Sequence, residues 1–331
     1  MNLQFIAEKA DVSIATVSRV VNNRPGVSQE KVDRVKAAIK ELDFVPKTRV
    51  ARSIPSLAPK GFKYGNVAVL VCGEGATIGA AELLVRQLIP ICHGLAQNGI
   101  SPVVCMGDGP LEEMPPVVRQ KMVDGVLLFG ELDESLRKFF DGIPMFWMTS
   151  HHEGAKSFVL HGNREIGELA AEYCREKECR KVVVVGTQLE SEVCRSRCDA
   201  FIESTGRFSL ESHLLMGEKL SGIESSIADV VERNEDLFRE ADGIFFPSDR
   251  LAAYAYPALH RAGVFGGDGK KVVLSCGGEK NYLSGLDPRP VSIDIGADLL
   301  GRQAVEQILW RIRYPEEKRQ FSVVIHPELM E

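Results

Sequence analysis

Apolar side chains recur every three to four residues in the first 45 residues, which is the spacing of amphipathic helices. This spacing predicts one helix over residues 3–10 and a second over residues 14–21. Asp11 and Val12 form the turn between them, and Ser13 is placed to cap the second helix. A third helix is predicted from Ser28 to about residue 42. Two short helices joined by a tight turn are typical of a helix-turn-helix, whose second helix enters the DNA major groove.

From Asn66 onward the pattern changes to short apolar runs that alternate with amphipathic helices. Val-rich runs without polar alternation indicate strands buried on both faces, and helices between them indicate parallel pairing. About five such units precede Gly162 and about four follow it, which predicts two doubly wound subdomains with a cleft between them. A closed eight-fold barrel would also alternate, but the extra helices and the break near His161 argue against it. The apolar runs are residues 67–72, 103–106, 126–129, 145–148, 182–185, 244–246 and 272–275, and the main helical stretches are 80–97, 165–175, 250–261 and 297–313.

The predicted fold class is therefore α/β, with a three-helix head in front of a two-subdomain body. The head is expected over residues 1–45, a hinge helix and linker over 46–65, and the body over 66–331. Pro46 breaks the chain, and Thr48 is able to cap a short helix over residues 49–54 before Pro55. Within the body we expect one subdomain at about 66–161 and a second at about 162–276, with C-terminal segments crossing between them.

Charge is distributed unevenly along the chain. Residues 1–60 hold 11 Lys+Arg and 6 Asp+Glu, a net charge of +5, which leaves −11 on the remaining residues. A small basic head on an acidic body is suited to local contact with a polyanion and to little non-specific binding elsewhere. The charge pattern thus supports a nucleic-acid partner for the head alone.

Neither the N-terminus nor the cysteine pattern indicates export. The chain starts without the charged-then-apolar order of a signal peptide, and no apolar run reaches the ~20 residues needed to span a bilayer. The eight cysteines lie in apolar or helical stretches rather than in a short spaced framework, which favours reduced thiols. We therefore expect a cytoplasmic protein with no membrane partner.

An enzyme would have to use His151, His152, His161 or the cysteines, among which Cys194 and Cys198 share a helix face. No close Cys-x-x-Cys or His-x-x-x-His pair occurs, so no metal site is predicted and buried thiols are the better account. A Gly-x-Gly at 73–75 resembles the start of a dinucleotide-binding loop, but the third glycine of that spacing is absent. We expect neither enzyme activity nor a cofactor.

The second predicted helix carries the segment Ser13-Ile14-Ala15-Thr16-Val17-Ser18-Arg19-Val20-Val21-Asn22. This segment resembles the recognition-helix signature of the lactose/galactose repressor family of bacterial transcription regulators. That family usually has Gly-Val-Ser at the turn, and here Asp11 stands in place of the glycine. Aspartate tolerates the left-handed backbone conformation better than most residues, so the turn is expected to survive. The resemblance implies a sequence-specific DNA-binding regulator, expected to be a repressor.

The resemblance also implies which side chains read DNA. Arg19 is placed to form a bidentate contact with a guanine, with a solvated helix arginine as the alternative. Ile14 and Ala15 occupy base-discriminating positions, although Ile14 could equally pack within the head. Four further residues are expected to contact phosphates, which orient the head without reading sequence. They are Ser13, Thr16, Ser18 and Asn22. For Ser13, a role as helix cap alone is an equally good explanation.

In the resembled family, the segment after the head is a hinge helix that folds on DNA and inserts an apolar wedge into the minor groove. Ile54 is the candidate wedge here, in place of the usual leucine, and one extra residue lies between Pro46 and the Ala-Arg pair. Arg49 and Arg52 are expected to contact phosphate or the minor groove, with solvated charges as the alternative. A helix of six residues is unstable alone, so its folding is expected to be coupled to DNA.

The body resembles, more diffusely, the effector domain of the same family, which has the architecture of periplasmic sugar-binding proteins. The matched segments are 163–167, 196–201 and 248–249. They imply that Asn163, Arg197 and Asp249 bind the effector, and an Arg and an Asp facing each other across a cleft are suited to hydroxyl-rich ligands. The alternatives are an ordinary ion pair for Arg197 and Asp249 and a helix cap for Asn163.

Three departures bear on the effector. A Gly-rich segment at 73–79 replaces an aromatic-bearing loop, Cys-Gly-Gly-Glu at 276–279 replaces a Phe-Asp-Asp-like stretch, and Gly162 replaces an aspartate. Carbohydrate therefore remains one option for a small-molecule effector, but an ordinary hexose is disfavoured. The leading function is a homodimeric regulator that binds a pseudo-palindromic double-stranded DNA operator with an affinity set by that effector. The alternative class is a small-molecule-binding protein with a vestigial head.

Overall fold

The computed structural model describes residues 3–21, 26–41, 59, 61–73, 81–148, 157–187, 192–218, 222–266, 271–317 and 319–330. The chain divides into two units, Met1–Leu57 and Ala58–Glu331, and each is considered by itself. Four of the expected DNA-contacting residues and the predicted hinge helix lie outside the described residues. These four are Asn22, Arg49, Arg52 and Ile54.

Three helices build the first unit: α1 Leu3–Lys9, α2 Ile14–Val21 and α3 Gln29–Glu41. The three helices predicted from apolar spacing are therefore present, and α2 has the predicted bounds. Their inward faces share one small core, which consists of Ile6, Ala7, Ala10, Val17, Val20, Val35 and Ala38. Most of these side chains are small or medium in size, so the interior of the head buries little apolar area per residue.

The turn between α1 and α2 depends on Asp11, whose backbone φ is +50°. This left-handed conformation is the one expected where the resembled signature has glycine. Arg34 on α3 braces the same turn: its Nε donates to the carbonyl oxygen of Ala10 at 3.0 Å, and its Nη2 donates to that of Asp11. Carbonyl groups at the end of a helix have no intrahelical partner, so Arg34 supplies one from a third helix.

The second unit contains two six-stranded sheets. The first sheet has the order β11-β5-β4-β3-β1-β2, and all of its neighbouring strands are parallel. The second has the order β12-β10-β9-β8-β6-β7, and only β12 runs antiparallel to its neighbour β10. The strands are β1 Asn66–Val71, β2 Ser101–Met106, β3 Gly125–Phe129, β4 Met145–Met148, β5 Phe158–His161, β6 Lys181–Thr187, β7 Glu211–Gly217, β8 Gly243–Phe245, β9 Val272–Cys276, β10 Val291–Asp294, β11 Ser322–Ile325 and β12 Glu328–Met330.

Helices cover both faces of each sheet, which confirms the doubly wound α/β fold predicted from the alternating pattern. On the first sheet, α4 and α13 contribute to one apolar core and α5 and α6 to the other. On the second, α9 and α11 pack on one face and α7 and α8 on the other. The helices of the body are α4 Ala81–Gln97, α5 Pro116–Arg119, α6 Glu134–Phe139, α7 Asn163–Glu176, α8 Glu192–Arg207, α9 Ile223–Arg233, α10 Glu235–Glu240, α11 Asp249–Arg261, α12 Lys280–Leu283 and α13 Ala297–Arg313.

The chain passes between the two sheets three times. It leaves the first sheet after His161, returns after Asp294 so that α13 packs on the first sheet, and crosses again between β11 and β12. Three separate connections therefore join the two subdomains. None of the described helices combines the length and the apolar character needed to span a bilayer.

Candidate DNA-reading helix and effector site

Helix α2 is buried on one side and exposed on the other. Val17 is completely buried and Val20 nearly so, while Ala15 and Arg19 are exposed and Ile14 keeps 49% of its surface accessible. The exposure of Ile14 favours its expected place on the reading face over the alternative of packing within the head. The exposed side of the helix thus carries Ile14, Ala15 and Arg19, while Val17 and Val20 anchor its other side in the core of the head.

The start of α2 is capped by Ser13. The Ser13 hydroxyl accepts the Thr16 amide at 3.2 Å and lies 2.9 Å from the Thr16 hydroxyl, while the Thr16 and Val17 amides also donate to the Ser13 carbonyl. This is the capping geometry expected for serine at a helix N-terminus. Ser13 and Thr16 therefore have a structural task, and any contact with phosphate would be additional to it. Ser18 is half-buried on the same helix.

A buried polar cluster lies in the second-sheet subdomain, at the ends of parallel strands. Asp249 begins α11 after the capping residue Ser248 and is completely buried. Its carboxylate accepts the Ser275 hydroxyl at 2.5 Å, the Ser292 hydroxyl at 3.0 Å and the Glu279 amide at 2.7 Å. Burial raises the pKa of Asp249, and these hydrogen bonds oppose that shift. The carboxylate joins the ends of β9 and β10 and the loop after β9.

Arg197 on α8 is also directed at its own subdomain. Its Nε donates to Asn163 Oδ1 at 3.0 Å, and its Nη1 donates to the Pro247 carbonyl at 2.7 Å and lies 3.1 Å from Cys276 Sγ. Arg197 is 5% exposed as a whole residue. Asn163 is the first residue of α7, and Gly162 is its N-cap, so the alternative of capping by the Asn163 side chain does not apply. The structure brings Asn163 and Arg197 together.

Arg197 and Asp249 do not face each other across the cleft, contrary to the expectation from the sequence. Both belong to the second-sheet subdomain, on α8 and α11, and both hold the segment that leads from β9 to α12. The physical reason is that the parallel strands of one sheet end at a common edge, so residues after different strands meet on the same side of the cleft.

Glu279 has the most unusual environment in this cluster. It is 5% exposed, and its Oε1 has no hydrogen-bond partner among the described residues. Burial, with the nearby Asp249 and Glu82 carboxylates, raises the pKa of Glu279 to about 7, while Arg250 and Arg86 act in the opposite direction. Sequence reasoning identified this position only as a departure from a family pattern. An acidic residue directly after two glycines was the available signal.

The preceding glycines give Glu279 its position. Gly277 and Gly278 have φ values of +136° and +68°, where other residues are strained. A Cβ at Gly277 would lie 3.0 Å from Asp249 Oδ2 and 3.1 Å from Glu279 Oε2. The two glycines therefore allow the loop to approach Asp249 closely enough to bury Glu279 beside it.

Helix α4 of the first-sheet subdomain reaches the same loop. Arg86 donates to the Gly277 carbonyl at 2.8 Å and to Asp294 Oδ1 at 3.2 Å. Glu82 accepts the amides of Lys280 and Asn281 at 3.1 and 3.3 Å. These contacts connect the two subdomains, and the sequence did not single out either α4 residue.

His161 is a buried neutral side chain between the sheets. Its Nδ1 lies 2.7 Å from the Ile295 carbonyl and its Nε2 lies 3.1 Å from Gln87 Nε2. The two contacts are satisfied together when Nδ1–H donates to the carbonyl and Nε2 accepts from the amide. Burial, with Arg197 and Arg86, lowers the pKa of His161 to about 3. The described residues hold no group of three or more side chains suited to bind a metal ion.

A helix-turn-helix head together with two doubly wound sheets joined by three crossings defines a class: DNA-binding regulators with a body like that of periplasmic binding proteins. Residues 2–47 match the family described as bacterial regulatory proteins, lacI family. The HTH-type transcriptional repressor PurR of Aliivibrio salmonicida is 25% identical over 349 residues, covering 99% of this chain and 97% of the relative. Residues 2–47 are therefore of the lacI family, and the chain over nearly its whole length is similar to the PurR repressor.

Two solved structures share the fold over the whole chain. The transcriptional regulator CelR in complex with cellobiose has a TM-score of 0.66 at 21% identity and covers 100% of this chain and 98% of its own. The lac repressor dimer bound to operator and the anti-inducer ONPF has a TM-score of 0.63 at 20% identity, with the same coverage. The two-subdomain body and the head thus occur together in the same order in known structures.

Proposed function

We propose that this protein binds a specific double-stranded DNA operator through α2, and that a small molecule bound in the cleft of its body sets the affinity. The main support is that α2 has one buried and one exposed side. Its buried valines hold the head together, while Ile14, Ala15 and Arg19 face outward. A helix supported in this way enters a major groove without loss of its own packing. The similar PurR is named a repressor, and the lac repressor structure contains an operator. Repression is the expected outcome, and the cytoplasm the expected location.

The outward side chains have separate tasks in this proposal. Arg19 donates to O6 and N7 of one guanine, which fixes a base pair in each half-site. Ile14 and Ala15 contact thymine methyl groups, while Thr16 and Ser18 contact phosphates that set the register of the head. Asn22, Arg49, Arg52 and Ile54 keep the roles that the sequence assigns to them at phosphates and in the minor groove.

In the body, Arg197 and Asp249 are assigned a positioning role for the loop that carries Glu279. Their donors and acceptors are already directed at the Pro247 carbonyl, Cys276 and the backbone of that loop. The Glu279 Oε1 atom is buried without a partner among the described residues, so an N–H or O–H of a ligand would satisfy it. A small molecule with several donors fits this position, and carbohydrates belong to that class, as the cellobiose in the CelR structure illustrates.

Binding of a ligand at this loop affects the other subdomain through α4. Arg86 and Glu82 bind the backbone of residues 277–281 from the other subdomain, so a change in this loop alters how the two subdomains close. In a homodimer, closure sets the distance between two heads and therefore the fraction of molecules that matches the operator. The effector acts by differential affinity for the two states and needs no direct contact with DNA.

A gel-shift competition tests the first half of the proposal. Fragmented genomic DNA of the source organism is incubated with the protein, and retained fragments are compared with an equal mass of shuffled-sequence DNA at about 0.15 M salt. We expect a small set of retained fragments that share a two-fold-symmetric motif. Equal retention of genomic and shuffled DNA would support the alternative in which the head is vestigial.

A further inference from the structure

Two cysteines at the C-terminal end of α7 are placed next to each other by the helix cap itself. The Cys179 amide donates to the Cys174 carbonyl at 3.0 Å, and the Glu178 amide donates to the Arg175 carbonyl at 3.0 Å. Glu178 has a φ of +58°, in the left-handed region. This pair of bonds with a left-handed residue is a Schellman cap, in which the two side chains that flank the cap touch. Here both of these side chains are thiols.

The space for the two sulfur atoms is provided by Gly243 at the start of β8. A Cβ at Gly243 would lie 3.3 Å from Cys174 Sγ and 3.3 Å from Cys179 Sγ, so both sulfurs converge on one point. A backbone hydrogen bond of 3.0 Å also limits the distance between the two Cα atoms, since the intervening bonds span no more than about 7 Å when fully extended. Disulfides require Cα separations of ~4.4–6.8 Å, so the backbone already favours a bridge.

The two thiols differ in accessibility. Cys174 is completely buried within α7, whereas Cys179 is 5% exposed. Cys179 also lies between exposed residues, since Lys177 and Glu178 precede it and Arg180 follows it. The hydrogen bond between the two thiols lowers the pKa of Cys179 and raises that of Cys174. The more accessible thiol is thus also the one that loses its proton more readily.

We propose that Cys174 and Cys179 form a reversible dithiol–disulfide site that responds to peroxide. The Cys179 thiolate attacks one oxygen of hydrogen peroxide, the O–O bond breaks, and hydroxide leaves and takes up a proton as water, which gives a sulfenic acid. The Cys174 sulfur then attacks the Cys179 sulfur, the S–O bond breaks, and a second water leaves with the proton of the Cys174 thiol. Two thiols are oxidised and one peroxide is reduced.

The bridge would act on α7, the helix that starts next to the buried polar cluster around Arg197 and Asp249. Asn163 begins α7 and accepts a hydrogen bond from Arg197, and Cys174 ends the buried part of the same helix. A disulfide at the Schellman cap fixes the last turn of α7 to Cys179, two residues before β6 begins. The site is separate from Cys194 and Cys276, which lie beside the Pro247 carbonyl.

The experiment is peptide mass mapping of the folded, full-length protein after treatment with hydrogen peroxide and alkylation of the remaining thiols. We expect the count of free thiols to fall from eight to six, and the peptide that spans residues 174–179 to lose the mass of two hydrogen atoms. Dithiothreitol should restore both thiols. Recovery of Cys174 and Cys179 in alkylated form, while other thiols are oxidised, would overturn the proposal.

Matched variants separate this site from the more accessible thiols. Cys92 and Cys105 are half-buried in the first-sheet subdomain, so the double variant Cys92→Ser, Cys105→Ser should form the same bridge at the same rate. Cys179→Ala should abolish it and leave Cys174 unmodified. The assignment is wrong if the disulfide forms in urea-unfolded protein but not in the folded protein. It is also wrong if Cys174→Ala still shows the mass loss of two hydrogen atoms.

Discussion

Arg19 is the residue on which the proposed base-reading role of α2 depends most directly. It is exposed on the outer side of the helix, and a guanidinium matches the two acceptors of a guanine in the major groove. Arg19→Ala is expected to weaken specific binding by about 1–3 kcal/mol and to relax the preference at one base pair. Titration of a selected duplex and of single-base variants measures both effects.

The control for this change is Arg19→Lys, which keeps the positive charge and loses the fork of donors. It should retain affinity for non-specific DNA and still lose the base preference. Equal discrimination by Arg19→Lys and the unchanged protein would mean that Arg19 contributes only charge.

The raised pKa of Glu279 predicts that the free energy of unfolding depends on pH. Its pKa is raised to about 7 in the folded chain, while an unfolded glutamate titrates near ~4.3. The folded chain therefore holds a proton over this interval that the unfolded chain has released, so this contribution to stability falls as the pH rises from ~4.3 to 7. Glu279→Gln removes the effect, and the unfolding free energies of the two proteins should diverge by up to about 3 kcal/mol between pH ~5 and ~7.5.

Urea unfolding at both pH values measures this difference. His161 acts in the opposite direction, because its lowered pKa means that stability is lost as the pH falls below ~6.5. It is present in both proteins, so it cancels in the comparison. Parallel pH profiles for the unchanged protein and Glu279→Gln would contradict the buried protonated state of Glu279.

At the scale of elements, the head depends on a brace between α3 and the turn before α2. Arg34→Met keeps the length of the side chain but removes its bonds to the Ala10 and Asp11 carbonyls. The loss should destabilise the head by about 1–3 kcal/mol. Hydrogen exchange of the α1 and α2 amides in the full-length chain measures it, and Lys36→Met on the exposed side of α3 is the control. Unchanged protection in Arg34→Met would show that the turn holds without the brace.

The elements that the sequence predicted well are those whose burial shows in the local pattern. The run at 145–148 and the helix at 297–313 have the predicted bounds, because continuous apolar residues and a long amphipathic face leave little ambiguity. Strand β7 was missed, since it is an edge strand that begins with three polar residues. Strands β11 and β12 were also missed, because they are short and pair with β5 and β10 rather than with neighbours along the chain.

The contacts of the candidate effector residues were likewise only partly predictable from the sequence. The sequence placed Arg197 and Asp249 at the right positions on helices after strands, but not on the same side of the cleft. Their partners, the Pro247 carbonyl and the hydroxyls of Ser275 and Ser292, come from three other segments of the chain. The orphaned oxygen of Glu279 depends on the left-handed glycines before it. No pattern in one sequence encodes such long-range pairings directly.

At the scale of the whole molecule, the expected homodimer needs an apolar surface on the body. Exposed apolar side chains lie on α4, at Val85 and Ile89, and on the edge strand β2, at Val104 and Met106. Adjacent exposed apolar residues at a sheet edge are typical of a surface covered by another chain. Ile89→Asp or Met106→Asp should raise the dimer dissociation constant by about tenfold or more, which corresponds to ~1.4 kcal/mol.

Sedimentation equilibrium over a range of protein concentrations tests this assignment. Val324→Asp is the control, because Val324 is also an exposed apolar residue but lies on β11, at the opposite edge of the same sheet. Loss of dimer in Val324→Asp with none in Ile89→Asp would place the interface at the other edge.

In the proposed function, α2 reads a defined DNA sequence on behalf of a ligand-responsive, two-fold-symmetric molecule. This can be tested by selection from a library of random duplexes, carried out with the full-length protein and with Arg19→Ala. We expect the unchanged protein to enrich a pseudo-palindromic sequence with a guanine at one position of each half-site, and Arg19→Ala to lose the preference at that position alone. Enrichment of no sequence, or an identical consensus from both proteins, would contradict it.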